Sequence, residues 1–326
     1  VEKNLMNKKN TFIDLFAGIG GFHFALSDFN AKCVFASEID KHASSTYVHN
    51  YGVMPHGDIT KINESSIPKH DILCAGFPCQ AFSISGNQKG FNDIRGTLFF
   101  EIARIVNFHK PKVLLLENVK NLVKHNNGAT LNTILDTLYN LNYTVYYEVL
   151  NASNYQLPQN RERVYFVCFR NDMNIRNFLF PKHIDKKTAL YEVLEHNPIN
   201  VKIVDRKDIK VKEYTPQLNI FNEYELPNKP IQIGIVNKGG QGERIYSEFG
   251  HAITLSAYGG GIGSKTGLYK INDVIRKLSP RECARVQGFS DSFEIISSPS
   301  QSYKQFGNSV ATRVLKEIIN EIMKVY

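Results

Sequence analysis

No run of apolar residues in this 326-residue chain approaches the roughly 20 that a membrane span needs, and nothing in it resembles a secretory signal. The chain is therefore expected to be a cytoplasmic protein with no membrane partner. Cysteine is scarce: Cys33, Cys74, Cys79, Cys168 and Cys283 are odd in number and scattered. That argues against a disulfide framework and fits a reducing compartment. None forms a CxxC or Cys/His pair with zinc spacing, so no metal is expected. Acidic residues are in deficit, 31 Asp and Glu against 39 Lys and Arg. The resulting charge of +8 is compatible with a polyanionic partner such as nucleic acid, although charge alone does not decide it.

What is present has a rhythm. "TFIDLF" (11–16), "KCVFAS" (32–37), "DILCAG" (71–76), "KVLLLE" (112–117), "YTVYYEVL" (143–150) and "RVYFVCF" (163–169) read as strands. Between them, "TLFFEIARIVNFH" (97–109) and "TLNTILDTLYNL" (130–141) repeat apolar residues every three or four positions and read as helices. Strand alternating with helix predicts an α/β fold, a doubly wound, mostly parallel sheet. The rhythm stops near residue 192. Residues 192–303 carry scattered prolines and the glycine-rich "NKGGQGERIY" and "SAYGGGIGSKTG", and predict a second, smaller domain. With 14 Lys and Arg against 13 Asp and Glu, that region would read a nucleic acid by shape and specific contacts. Residues 304–326 regain helical periodicity and are expected to complete the first domain, 1–191.

Two sites stand out in the α/β half. "DLFAGIGGF" (14–22) follows the first strand and opens a helix, so Gly18, Gly20 and Gly21 let backbone approach a ligand closely. The third glycine of a dinucleotide fingerprint would fall at His23, which disfavours NAD or FAD. Glu38, ending the second strand, can accept from ribose hydroxyls, and Asp58 is a further possible contact near an adenine amino group. A nucleoside cofactor without phosphates fits all three, and S-adenosylmethionine is the common one. The second site is "AGFPCQAFSISG" (75–86), which puts Cys79 just beyond the carboxyl end of a strand, where open parallel sheets bind ligands. A buried thiol is the ordinary fate of a cytoplasmic cysteine, and it suits Cys74 better. Glu117, ending "KVLLLE", and Arg161 and Arg163 in "QNRERVYF" fall on the same edge. Together they describe a nucleophile, an acid and cationic groups.

"FAGIGG", "GFPCQ", "ENV", "QNRER" and "QFGNS", in this order, resemble the motif series of the DNA (cytosine-5) methyltransferases across essentially the whole chain. The resemblance implies a cofactor domain and a smaller target-recognition domain, with duplex DNA in the cleft. Cys79 would be the nucleophile, Glu117 the acid at N3 and Arg163 the contact to the cytosine O2. Arg161 would hold the site and the phosphate backbone. Phe16 and Ile39 would sandwich the adenine, and Ile19, Ile59, Gly76, Pro78, Leu98, Asn308 and Ser309 would complete the cofactor site. Ser85, Gln241, Arg244, Thr254 and Tyr258 would contact DNA, and the loop from Phe82 to Phe91 would close over a flipped base. The implied target is GCGC, methylated at the inner cytosine, in a monomeric bacterial or phage enzyme, nucleoid-associated, working beside a restriction endonuclease.

The chain departs from that pattern in places. A tryptophan that relatives place after the glutamate is Ile39 here, and the chain has no tryptophan at all. Asn87 and Asn160 stand where lysines are found, which predicts fewer phosphate contacts. Rival readings are an RNA cytosine-5 methyltransferase, a catalytically inactive DNA-binding relative, and an NAD-dependent oxidoreductase. The glycine-rich recognition segment weighs against the first, the Cys79, Glu117 and arginine set against the second, and His23 against the third.

Overall fold

The computed structural model describes residues 9–78, 98–199, 201–218, 224, 226–258 and 261–326. Cys79, Ser85 and Asn87 lie outside the described residues, as does the whole 82–91 loop. The chain divides into two compact units: residues 1–150, 162–181 and 318–326, and residues 151–161 and 182–317. Residues 151–161, 182–191 and 304–317 group with the second unit, whereas the strand–helix rhythm up to 191 and the helical periodicity of 304–326 had placed them in the first.

Unit 1 is built on a six-stranded sheet in the order β2-β1-β3-β4-β6-β5. The strands are β1 Thr11–Leu15, β2 Lys32–Ser37, β3 Ile72–Gly76, β4 Val113–Val119, β5 Tyr143–Asn151 and β6 Glu162–Arg170. β1 pairs in parallel with both β2 and β3, β3 pairs in parallel with β4, and β6 runs antiparallel to β4. This is the mostly parallel α/β architecture expected from the sequence. Interior strands are apolar on both faces, as parallel sheets require, and β3 and β4 are buried nearly end to end. β5, at the sheet edge, exposes Tyr147 and Glu148.

The helices connecting these strands are α1 Gly21–Ser27, α2 Lys41–Tyr51, α3 Leu98–His109 and α4 Ala129–Asn140. Alternate strand residues Ile13 and Leu15, Leu73 and Ala75, Leu114 and Leu116, Val164 and Phe166 form one core with Ile102, Val106, Ile134 and Leu138 of α3 and α4. β1 lies between β2 and β3, so the chain leaves it toward one side of the sheet and returns on the other. That reversal opens a crevice at the carboxyl ends of the strands.

Unit 2 carries a five-stranded sheet: β7 Lys210–Val211, β8 Gln232–Ile235, β9 Arg244–Ser247, β10 Leu268–Ile271 and β11 Val274–Arg276, in the order β11-β10-β9-β8-β7. Its helices are α5 Pro280–Val286 and α6 Pro299–Asn308, and α7 Thr312–Val325 passes from unit 2 into unit 1. "SPRE" starts α5 with a capping box: Ser279 Oγ accepts from Glu282 N–H, and Glu282 accepts from Ser279 N–H. Arg276 pairs with the same buried carboxylate through two nitrogens at 2.8 Å. Among the described residues, no helix is long and apolar enough to cross a membrane.

Burial depresses the pKa of His23, His70 and His251 to about 4 each. An unfolded histidine protonates near 6.5, so stability is full above that pH and declines as pH falls toward 4, by at most about 1.4 kcal/mol per pH unit for each ring. Asp14 and Glu38, whose carboxyls burial pushes up, act in the opposite sense. Thermal melts between pH 7.5 and 4.5 should show the decline, and His251→Gln should flatten it.

Candidate active site

Because β1 to β4 are parallel, their carboxyl ends meet on one edge. Register fixes the order: Leu15 is opposite Ser37 and Ala75, and Gly76 is opposite Glu117. The chain leaves β1 through a tight turn in which Phe16, Gly18 and Gly20 all have positive φ, 54°, 55° and 83°. Gly20 caps α1. A Cβ there would meet the Tyr51 ring at 2.2 Å, and that ring is held by a hydroxyl bond of 2.8 Å to the Gly20 carbonyl and by stacking on His23 at 4.0 Å. At Gly18 a Cβ would meet nothing within 4 Å, so the turn is backed by packing at one glycine and open at the other. Ile19 and Gly21 are buried beneath it.

Glu38 ties the turn to the end of β2. One carboxylate oxygen accepts the Gly18 N–H and the other the Asp40 N–H, both at 2.7 Å. Burial raises the pKa of this carboxyl, and backbone bonds from Asp40, Gly18 and Ile39 oppose the rise. A carboxylate has about four lone-pair sites, which leaves capacity for a ribose hydroxyl. Beside it, Ile39 is 71% exposed. His56 bonds to both Ala36 and Glu38 through backbone, at 2.8 and 3.0 Å, which carries Asp58 along the same edge. Asp58 caps a short turn, accepting from Thr60 N–H and Oγ1 at 3.1 and 2.8 Å, and Ile59 is buried behind it.

One strand further, Gly76 ends β3 and leads through Phe77 and the exposed Pro78. Glu117, 7% exposed, lies 3.1 Å from the Arg163 Nε, and β6 brings that arginine in opposite Val119. Asn118, buried and not singled out by sequence reasoning, donates through Nδ2 to the Phe77 carbonyl at 2.8 Å and accepts the Val119 N–H at 2.8 Å. It therefore fixes the turn two residues ahead of Cys79. Its signal was the middle letter of "ENV", a motif from which only Glu117 had been given a role.

The other four cysteines are buried, and burial drives their thiol pKa values upward, to about 11 for Cys33 and well above the usual thiol range for Cys74, Cys168 and Cys283. A thiol held in that state is a poor nucleophile. Cys79 is thus the remaining candidate.

The two arginines of "QNRER" part company. Arg163 faces Glu117 in unit 1, whereas Arg161 belongs to unit 2 and is 3% exposed. Its guanidinium donates to the carbonyls of Leu255 at 3.1 Å, Gly307 at 3.2 Å and Ser309 at 2.6 Å. A guanidinium so enclosed is tied to backbone carbonyls within unit 2. Gly307 of "QFGNS" is needed for close approach, since a Cβ would stand 2.3 Å from the Ser256 backbone. Asn308 beside it is exposed and Ser309 buried, while Leu98 opens α3 in unit 1.

In unit 2 the two glycine-rich stretches meet: Gly263 N–H donates to the Gly242 carbonyl at 2.7 Å, and a Cβ at Gly261 or Gly263 would press on Gly242. Gln241 and Arg244 are exposed on this platform, as is Tyr258, and Thr254 bonds to the Asn160 carbonyl.

A strand-edge carboxylate, a glycine turn and a buried acid beside an arginine line the carboxyl edge of unit 1, the edge at which an open α/β sheet binds its ligand. The chain belongs to the C-5 cytosine-specific DNA methylases, whose family profile matches residues 10–324, and is a DNA (cytosine-5) methyltransferase. It is 54% identical over 317 residues to the type II methyltransferase M.HhaI of Haemophilus parahaemolyticus, covering 95% of this chain and 93% of that protein. It is 41% identical over 335 residues to M.HpaII of Haemophilus parainfluenzae, covering 98% and 92%. Among solved structures it resembles the S. pombe Dnmt2 methyltransferase, with TM-score 0.68 and 18% identity over 97% of this chain and 99% of that one. It also resembles a putative DNA modification methyltransferase from an E. coli prophage, with TM-score 0.69 and 20% identity over 97% and 99%. At those identities the structures share the fold.

The two glycines of the turn should respond differently to alanine. Gly18→Ala bears only backbone strain, about 1–2 kcal/mol, while Gly20→Ala adds the Tyr51 collision, a further ~1–3 kcal/mol. Urea denaturation of the two variants measures the difference, and equal losses would contradict it.

Proposed function

We propose that the protein is the methyltransferase of a type II restriction-modification system. It methylates C5 of a cytosine turned out of duplex DNA, in the target GCGC at the inner cytosine. The observation that supports the chemistry most directly is the Glu117–Arg163 pair beside the turn that Asn118 holds ahead of Cys79. Relatives named as type II methyltransferases support the system, and the exposed Gln241 and Arg244 support the target. On this reading unit 1 carries the chemistry and unit 2 the recognition of sequence, and the enzyme acts as a monomer beside an endonuclease it does not bind.

Cytosine C5 is a poor nucleophile, so the ring is first activated at C6. The Cys79 thiolate forms a bond to C6 and electron density moves toward N3. Glu117, shut off from water by the bound base, donates a proton to N3, while Arg163 holds Glu117 in place and donates to O2. S-adenosylmethionine, when bound, supplies an electrophilic methyl group and leaves as S-adenosylhomocysteine. The residues of the crevice fit it: Glu38 has acceptor capacity left for a ribose hydroxyl, Gly18 is open, and Ile39 offers an apolar face to adenine against Phe16. After transfer the C5 proton passes to a base such as water, the sulfur of Cys79 departs as the thiolate, and N3 returns its proton to Glu117. Reaching the pocket requires the base to leave the stack, at a cost of a few kcal/mol. The 82–91 loop is the proposed cover.

DNA containing 5-fluorocytosine at the target cannot lose its C5 substituent as a proton, so it should trap the enzyme covalently. Cys79→Ser should form no adduct, and a denaturing gel without the wild-type adduct would refute the assignment. Glu117→Gln should lower kcat, whereas Glu38→Ala should chiefly raise the cofactor KM, because its contact is made equally in ground and transition states.

For the target, bisulfite sequencing of DNA from cells expressing the chain should show conversion-resistant inner cytosines in GCGC. Arg244→Ala should cost about 1–3 kcal/mol and relax one guanine position. Methylation mainly at GGCC, or at every CG, would overturn the target and leave the chemistry standing.

A further inference from the structure

The loop that carries Gln241 is closed by its own backbone: Val236 N–H bonds to the Glu243 carbonyl at 2.8 Å, and Glu243 N–H to the Gly240 carbonyl at 2.9 Å. Backbone also holds the loop at Gly242, through the Gly263 N–H at 2.7 Å, but Gly239 and Gly240 leave the half that precedes Gln241 without side-chain support of its own. Side chains supply what the glycines do not. The Glu243 carboxylate accepts the Gly240 N–H at 3.0 Å and the Asn237 Nδ2 at 2.8 Å. Asn237 in turn accepts from Arg206 Nη2 at 2.7 Å and donates its backbone N–H to Asp208 at 3.1 Å. Arg206 and Asp208 close the chain with a parallel pair of bonds at 2.8 and 2.9 Å.

The far end of this chain is anchored. Val204 is buried in the core of unit 2 and its N–H bonds to the Ile275 carbonyl at 2.8 Å, and Asp208 is followed closely by β7, which pairs with β8. Asn237 has φ +51°, a conformation that asparagine tolerates better than most residues, so its amide is presented to both neighbours without side-chain strain. Each contact is exposed and individually weak, but all act on one hinge, where the chain enters the glycine run.

We propose that Arg206, Asp208, Asn237 and Glu243 form a clamp that sets the pose of the Gln241 loop, which makes Asn237 and Asp208 positioning residues for target discrimination. The clamp contacts no DNA. It acts through the residues that do, and so rests on the assignment of Gln241 and Arg244 as readers of sequence. Loosening it lets the loop settle on a wrong base pair almost as well as on the right one, so the loss falls on the ratio of kcat/KM between target and near-target duplexes, more than on kcat with the target at saturation.

The test uses Asn237→Gly, which keeps the positive φ and removes the amide, and Asp208→Asn, which leaves the glycine loop's composition untouched. Discrimination between the target duplex and duplexes with one guanine replaced should fall about 10-fold in each variant, which corresponds to about 1.4 kcal/mol. The double variant should fall no further than either single one, because both break the same chain of contacts. Gln241→Ala and Arg244→Ala run alongside. If these relax discrimination while Asn237→Gly and Asp208→Asn discriminate as the wild type does, the clamp is refuted and the readers stand. If the reader variants leave discrimination intact, the reading of the loop fails and the clamp fails with it. Should one clamp variant not fold, the other decides.

Discussion

Parallel pairing of four strands is the constraint on which the rest of the site depends. Antiparallel neighbours would send successive carboxyl ends to opposite edges. With β1 to β4 aligned, Glu38, the glycine turn, the lead into Cys79 and Glu117 arrive in that order on one edge, each a single strand spacing from the next. Neighbouring strands lie about 4.8 Å apart, so that row spans the length of a nucleoside and an adjoining base. β6 then reverses direction, and the reversal is what delivers Arg163 to the same edge from its amino end. A parallel strand in that place would have put Arg163 at the far side of the sheet.

Much of this was legible in the sequence, and for a physical reason. Central strands of a parallel sheet are apolar on both faces, so runs such as "KVLLLE" declare themselves, and all six strands of unit 1 fall within two residues of their expected bounds. Helices α3 and α4 were equally plain because their apolar stripes are wide. Helix α2 was not. "KHASSTYVHNY" buries only Ala43, Thr46 and Tyr47, and its start is dictated by the Asp40 cap, a signal without a hydrophobic stripe to support it. Glu38, Glu117 and the glycines were legible as residue types at strand ends. Asn118 and the clamp around Asn237 were not, because a bond from Asn118 to Phe77, 41 residues earlier, or from Asn237 to Asp208, 29 residues earlier, leaves no periodic trace.

Two arginines close in sequence take different surroundings. Arg161 and Arg163 are two apart, which on a regular strand means one face and one environment. β6 begins only at Glu162, so Arg161 precedes it, and its side chain goes instead to three carbonyls of unit 2. The motif "QNRER" therefore serves both units. One arginine faces an acid at the sheet edge, the other ties residues 255, 307 and 309 together. The motif's compactness hides two unrelated demands, one of chemistry and one of packing.

The contact of Gly242 with Gly261 and Gly263 bears on how such a protein changes over generations. Two segments about twenty residues apart touch backbone to backbone, with no side chain between them to shrink or rotate in compensation. Drift in either segment is therefore answerable to the other. A lineage can exchange the side chains that project from this platform, or inherit a replacement of both segments at once through recombination, but single steps in either backbone meet the other. Change here would then come in jumps, with long intervals in which the two glycine segments stay fixed while the rest of the chain diverges around them.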